Sequence, residues 1–243
     1  MCLALFALDP DGEYPLILAA NRDEFLDRPT APAAWWDEPE VLAGRDLQAG
    51  GTWLAVNRAG RIAWLTNVRD QVPAPTDPPS RGQLPLKALG DDIGSWLERY
   101  GASYAGFNLL YGDARGLSWY SNRGGRVEAV LPGVHGISNG ALDEPWPKVV
   151  RGRSGLADIL RDGSPYTDRL LDLLTHAEPA EKSLPDTGVG PDMERFLSPI
   201  HITGDRYGTR SSTVVLMGRD GVIRFTEKAA GGLLQYEFQM SGC

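Results

Sequence analysis

Two short, almost unbroken apolar runs near the start constrain this chain more than any other feature. Met1-Cys2-Leu3-Ala4-Leu5-Phe6-Ala7-Leu8 and Leu16-Ile17-Leu18-Ala19-Ala20 are separated by Asp9-Pro10-Asp11-Gly12. Pro presets φ and Gly tolerates φ > 0, so the polar stretch reads as a turn and the runs, Cys2 to Leu8 and Leu16 to Ala20, as a hairpin. Polar residues do not alternate with apolar ones in either run, so both faces of these strands must be buried. A strand pair of this kind has to lie between other layers.

The remainder divides by its own punctuation. Asp27 to Gly51 is read as a long ordered loop, because Pro29, Pro32 and Pro39 argue against a helix interior or a central strand. A second hairpin follows, Thr52 to Val56 and Arg61 to Thr66, turning at Asn57-Arg58-Ala59-Gly60. Leu84 through Tyr100 carries Leu86, Leu89, Ile93, Trp96 and Leu97 at near-helical spacing and is predicted as one helix. Strands are predicted at Gly106 to Tyr111, Leu117 to Tyr120, Val127 to Leu131 and Gly133 to Ser138. Helices are predicted at Trp146 to Leu160 and Thr167 to His176, divided by Arg161-Asp162-Gly163-Ser164-Pro165. The tail returns to strands at Pro199 to Thr203, Ser212 to Met217, Gly221 to Thr226 and Gly231 to Phe238. Strands at both ends around a helical middle imply an α+β architecture with the termini paired in one sheet. No linker or compositional break interrupts residues 1–243, so one domain is expected.

Composition excludes several function classes. A formal charge of -8 argues against a general nucleic-acid binder, which needs a basic footprint. No apolar stretch approaches the roughly 20 residues that span a bilayer, so no membrane span is expected. Asp9, Asp11 and Glu13 interrupt the N-terminal apolar run, which leaves no signal-peptide pattern and points to a cytoplasmic location. Cys2 and Cys243, one at each end, make no disulfide framework. His135, His176 and His201 lack metal-ligand spacing, so no structural metal is expected. No sequence feature specifies an oligomeric state.

Candidate chemistry starts at Cys2. It reads either as an inert buried strand thiol or, with Met1 removed, as a nucleophile whose own α-amine, with a pKa of about 7.7 to 8.0, can take the thiol proton. Asn21-Arg22-Asp23-Glu24 follows the second apolar run. Across the hairpin from Cys2, Asp23 is a candidate to hold the α-ammonium, and Arg22 to bind a ligand carboxylate or carbonyl. Asn67 and Asn139 each end an apolar strand, a position suited to oxyanion donors and equally to turns. Arg210, in Tyr207-Gly208-Thr209-Arg210-Ser211-Ser212-Thr213, is a candidate to steer an anionic substrate or to keep the amine and thiol in their reactive protonation states. Asn21 and Trp35 join Arg22 as substrate-binding candidates, the latter as pocket wall.

Together these residues, with Gly50-Gly51-Thr52-Trp53-Leu54, Thr66-Asn67, Ser80-Arg81-Gly82, Gly106-Phe107-Asn108-Leu109, Ile137-Ser138-Asn139 and Trp146-Pro147-Lys148, resemble the NRDE family, also called the transport and Golgi organisation protein 2 family. Its eukaryotic members are connected with Golgi organisation, lipid or acyl-coenzyme A metabolism and haem handling. The layout is also similar to N-terminal nucleophile hydrolases of the choloylglycine hydrolase and penicillin V acylase kind. That resemblance implies a four-layer α-β-β-α sandwich with Cys2 as nucleophile. It further implies Asp23 orienting the amine, Asn67 and Asn139 making oxyanion and substrate contacts, and Arg210 as a late active-site arginine. One position departs from those enzymes, which carry an Arg three residues before the Asp, where this chain has Ala20.

The expected activity is therefore hydrolysis of a linear carbon-nitrogen amide bond of a small-molecule acyl-amide, through a thioester and without a cofactor. The alternative is a carrier without turnover, binding haem or an acyl-coenzyme A ester in the same cleft. Haem would take its axial ligand from Cys2 or a histidine. A trafficking or interaction protein would need an exposed motif that the sequence does not offer.

Overall fold

A computed structural model describes residues 3–9, 11–90, 93–163 and 166–241. The chain begins with β1 (Leu3–Leu8), β2 (Leu16–Phe25), β3 (Thr30–Trp36), β4 (Val41–Asp46), β5 (Leu54–Asn57) and β6 (Ile62–Asn67). Helices α1 (Leu84–Ala88) and α2 (Gly94–Tyr100) follow, then β7 (Phe107–Asp113), β8 (Gly116–Ser121), β9 (Val127–Ala129) and β10 (Gly133–Ile137). After α3 (Pro147–Asp162), α4 (Tyr166–Leu173) and α5 (Pro191–Phe196), the chain closes with β11 (Tyr207–Met217), β12 (Val222–Ala229) and β13 (Gly232–Gln239).

The strands form two antiparallel sheets. One has the order β10-β1-β2-β11-β12-β13, the other β3-β4-β5-β6-β7-β8-β9. The opening hairpin is as predicted, with Leu8 opposite Leu16 and Leu3 opposite Asn21, and every residue of β1 is buried. Side chains alternate across a strand, so its two faces meet different neighbours. Ala4, Phe6 and Leu8 pack toward the second sheet, where Phe6 meets Trp64 edge-on at 5.2 Å. Leu3, Leu5 and Ala7 pack toward Leu156 and Ile159 of α3 and Leu170 and Leu171 of α4. Gly152 lets α3 sit directly on β1, since a Cβ there would lie 2.5 Å from a Leu5 methyl. On the second sheet, Ala43, Ala55, Ala63 and Leu109 pack against Leu84, Ala88 and Leu97 of α1 and α2. An apolar strand with burial on both sides is what the unbroken runs required.

Several local predictions are corrected. Asp27 to Gly51 contains two strands, because β3 is an edge strand, Pro32 falls at a register irregularity between Ala31 and Ala34, and Pro39 follows a cis peptide bond in the connecting turn. An edge or bulge position tolerates the missing N–H. Leu84 to Tyr100 is two helices, interrupted after Leu89 beside Gly90, whose place in a helix interior is unfavourable. Pro199 to Thr203 is not a strand, and α5 at Pro191–Phe196 was not foreseen. The termini share a sheet without pairing, as β2, β11 and β12 lie between β1 and β13. Pro10, Ser164, Pro165 and Cys243, used in the sequence reading, lie outside the described residues.

Candidate functional site

The proposed nucleophile, Cys2, lies outside the described residues, so the site is built from what surrounds the start of β1. Leu3 pairs with Asn21, which puts this end of β1 beside the last turn of sequence in β2. There Arg22 and Glu24 wall one cavity and Phe25 walls another.

The first cavity, about 370 Å³, is lined by Arg22, Arg28, Asp46, Trp53, Ser80 and Arg81, among others. The second, about 550 Å³, is mostly apolar, with Val72, Val189, Met193, Phe196 and Leu197 in its wall. Asn67, Arg81 and Ala105 line both, so the cavities meet at the end of β6. Asn139 lines the larger one, and its Nδ2 donates to the Asn67 carbonyl at 2.9 Å. That bond ties the end of β10 in one sheet to the end of β6 in the other. Two of the sequence-predicted asparagines are thus brought together, and a second N–H of the Asn139 carboxamide is left over from this bond.

Asp23 is 3% exposed and accepts from the Thr209 hydroxyl at 2.6 Å. A β-bulge makes this contact. Ser211 lies opposite Arg22 and Thr209 opposite Asp23, so Arg210 is the inserted residue. The inserted Arg210 stays within electrostatic reach of Arg22. Its Nη1 donates to the Phe25 and Arg28 carbonyls at 2.7 and 3.1 Å, and the residue lines a separate cavity of about 150 Å³. Arg210 braces the β2–β3 turn and lines neither cavity at Asn67.

Asn21 and Trp35 line neither cavity at Asn67. Asn21 is fully buried, donates to the Leu174 and Ile200 carbonyls at 2.9 and 2.8 Å and accepts from Ser212 at 2.7 Å. Its carboxamide clamps the segment after α4 onto the sheet. Trp35 packs on Phe238, with the Arg58 guanidinium 4.0 Å over its ring, and lines neither cavity at Asn67. The tryptophan at the site is Trp53.

Arg22, a substrate-binding candidate from the sequence, lines the smaller cavity. It is 4% exposed, stacks 4.3 Å over Trp53, and its Nη1 has no hydrogen-bond partner. Burial pulls its guanidinium below the usual arginine value, against the attraction of Glu24 and Asp46. Burial also pushes Glu227 upward, opposed by the Ala33 N–H, by the Ser211 and Thr213 hydroxyls and by the charge of Arg22. For Asp46 burial acts upward too, but the bond from Arg28 and the N–H groups of Ala49 and Gln48 win and hold it low.

Two further groups escaped sequence reasoning. Gly51 and Gly82 press backbone to backbone, with a Cβ on Gly51 falling 2.4 Å from the Gly82 carbonyl, and the Thr52 N–H donates to that carbonyl at 2.8 Å. This contact presents Arg81 to both cavities, and the Ser80-Arg81-Gly82 motif was its signal. Glu194, on α5, accepts from Arg69 Nη2 at 2.6 Å, from the Thr187 N–H at 2.8 Å and from the Thr187 hydroxyl. No sequence pattern announced that clamp.

Among the described residues no cluster of metal-ligating side chains is found, and no helix is long and apolar enough to cross a membrane. His135 binds Asp143 at 2.7 Å, and neither it nor His176 nor His201 lines the cavities at Asn67.

The family model for Transport and Golgi organisation 2 matches residues 1–231. The chain belongs to this family. It is 35% identical to the Transport and Golgi organization protein 2 homolog of Bos taurus, over 96% of this chain and 94% of that protein. The Homo sapiens homolog is 34% identical over 94% and 93% of the two chains. Among solved structures, the C2A mutant of conjugated bile acid hydrolase from Clostridium perfringens matches with a TM-score of 0.50 and 9% identity, covering 99% of this chain and 92% of that one. At that identity the likeness concerns the fold: the family member described here has an α+β fold with two antiparallel sheets, distantly similar to N-terminal nucleophile hydrolases.

Proposed function

We propose that this chain, residues 1–243, is one N-terminal nucleophile hydrolase domain with the four-layer α-β-β-α arrangement, and that it hydrolyses a carbon-nitrogen amide bond with Cys2 as nucleophile. The observation that carries the reading is the pairing of Leu3 with Asn21, which brings the start of β1 to the segment of β2 that walls both cavities meeting at Asn67. The fold likeness supports it.

In this mechanism Met1 is removed and the Cys2 amine accepts the thiol proton. Asp23, fixed by Thr209, holds the resulting ammonium. The thiolate adds to the amide carbonyl, forming a carbon-sulfur bond and an oxyanion. Asn67, with the spare N–H of Asn139, stabilises that charge. The tetrahedral adduct collapses, the carbon-nitrogen bond breaks, and the leaving amine takes the proton from the ammonium. Water, deprotonated by the freed Cys2 amine, then cleaves the thioester, releasing the acid and restoring the thiol.

The test combines intact-mass measurement, labelling with a cysteine-directed acylating probe and turnover of an acyl-amide panel. Processed Met1, modification confined to Cys2 and a loss of about 10³-fold or more in Cys2→Ala are expected. Undiminished hydrolysis by Cys2→Ala, or active protein that retains Met1, would refute the assignment.

A further inference from the structure

The two cavities that meet at Asn67 differ in chemistry. In the larger one Arg69 binds Glu194 at 2.6 Å and Arg123 binds Asp70, Arg81 stands at the junction with the smaller cavity, and the rest is an apolar wall that includes Phe25, Val72, Val189 and Met193. These four are 42 to 54% exposed, so the wall opens at the surface as an apolar mouth. The smaller cavity is rich in charge. Three guanidiniums, Arg22, Arg28 and Arg81, line it against two carboxylates, Glu24 and Asp46. Arg28 is paired with Asp46 at 2.8 Å and stands 3.9 Å from Glu24. Arg22 keeps a buried N–H donor at Nη1 with no acceptor, beside Trp53 and the hydroxyl residues Thr52 and Ser80.

A buried arginine donor without an acceptor is costly to maintain and calls for an anion. The planar guanidinium matches a carboxylate. We propose that the smaller cavity is a carboxylate subsite anchored by Arg22. The ligand of the joined cavities is then an amide with an apolar chain on one side of the amide bond and a carboxylate on the other. This assignment of substrate class rests on the hydrolase reading for its reaction and on Arg22 for its charge preference.

Because the two can fail separately, binding and turnover are measured together. N-decanoylglycine, N-decanoylethanolamine and mono-N-decanoyl-ethylenediamine present an anionic, a neutral and a cationic head on the same chain. N-decyl succinamic acid moves the carboxylate to the acyl side and reports which cavity receives the acyl group. Calorimetric affinity is measured on Cys2→Ala protein and kcat/KM on wild type. A carboxylate probe is expected to surpass the neutral one by about 10- to 100-fold, with the cation weakest. Arg22→Gln should flatten that ratio, and Arg22→Lys should restore part of it. A flat ratio in wild-type protein that still turns over the probes overturns the subsite and leaves the hydrolase reading standing. A binding preference without any turnover supports the subsite and removes the hydrolase reading. Binding of none of the probes, or a preference that survives in folded Arg22→Gln, overturns the proposal. If Arg22→Gln does not fold, the wild-type ratio decides.

Discussion

Removing the Glu194 carboxylate should loosen the wall of the larger cavity. Glu194 is 2% exposed and ties the segment around Thr187 and α5 to Arg69, whose own N–H donates to the Asn139 carbonyl at 2.8 Å. Glu194→Ala leaves the Thr187 N–H without its acceptor and takes the carboxylate from Arg69. Breaking a buried ion pair costs about 3 to 5 kcal/mol. The Arg69 side chain is 18% exposed and keeps the Thr187 hydroxyl and the face of Trp146, so the lower end, about 3 kcal/mol, applies. For a chain of this size that is a fall in Tm of about 6 to 12 °C. Hydrogen exchange should rise first in residues 186–197, and affinity for apolar probes should drop, because Met193, Phe196 and Leu197 come from this segment. In Arg69→Met/Glu194→Met the two losses should not add, since no buried charge is left alone; a coupling of about 1 kcal/mol or more is expected. A Tm change below about 2 °C with unaltered exchange in residues 186–197 would refute the clamp.

The backbone contact between Gly51 and Gly82 predicts that Gly51→Ala lowers stability by about 1 to 3 kcal/mol, as the added methyl meets backbone that cannot turn aside. Gly116→Ala, where a Cβ has open space, should stay within about 0.5 kcal/mol in the same denaturation assay. Glu227 supplies a pH test. Its folded-state pKa lies above the unfolded one, so the folded state holds its proton longer, and this contribution to stability is full below the unfolded pKa and is lost as pH rises through the folded pKa. Glu227→Gln should remove that decline from stability-versus-pH curves, and a wild-type-like decline in the variant would contradict it.

How much of this was legible beforehand follows from which interactions are local. The unbroken runs in β1 and β2 announced burial on two sides, and the side-chain alternation of a strand turns that into a sheet-facing and a helix-facing set. Prolines misled the reading of Asp27 to Gly51, because whether a strand tolerates Pro depends on its place in the sheet, which neighbours in sequence do not specify. Asn67 and Asn139 could be singled out by their position at strand ends, but the bond between them spans two sheets. The insertion of Arg210 in β11, which sets Thr209 opposite Asp23, has no signature among its neighbours in sequence.

The sequence by itself determined the family, the α+β class and the apolar hairpin, since these depend on residue order and short-range pattern. The tertiary structure decided the rest of the site: that Asn21 clamps the segment after α4, that Trp53 rather than Trp35 stands at the cavity, and that Arg22 keeps an unmatched donor there. Those outcomes depend on which strand ends converge and on which polar groups find partners across the fold, and neither can be counted along the chain.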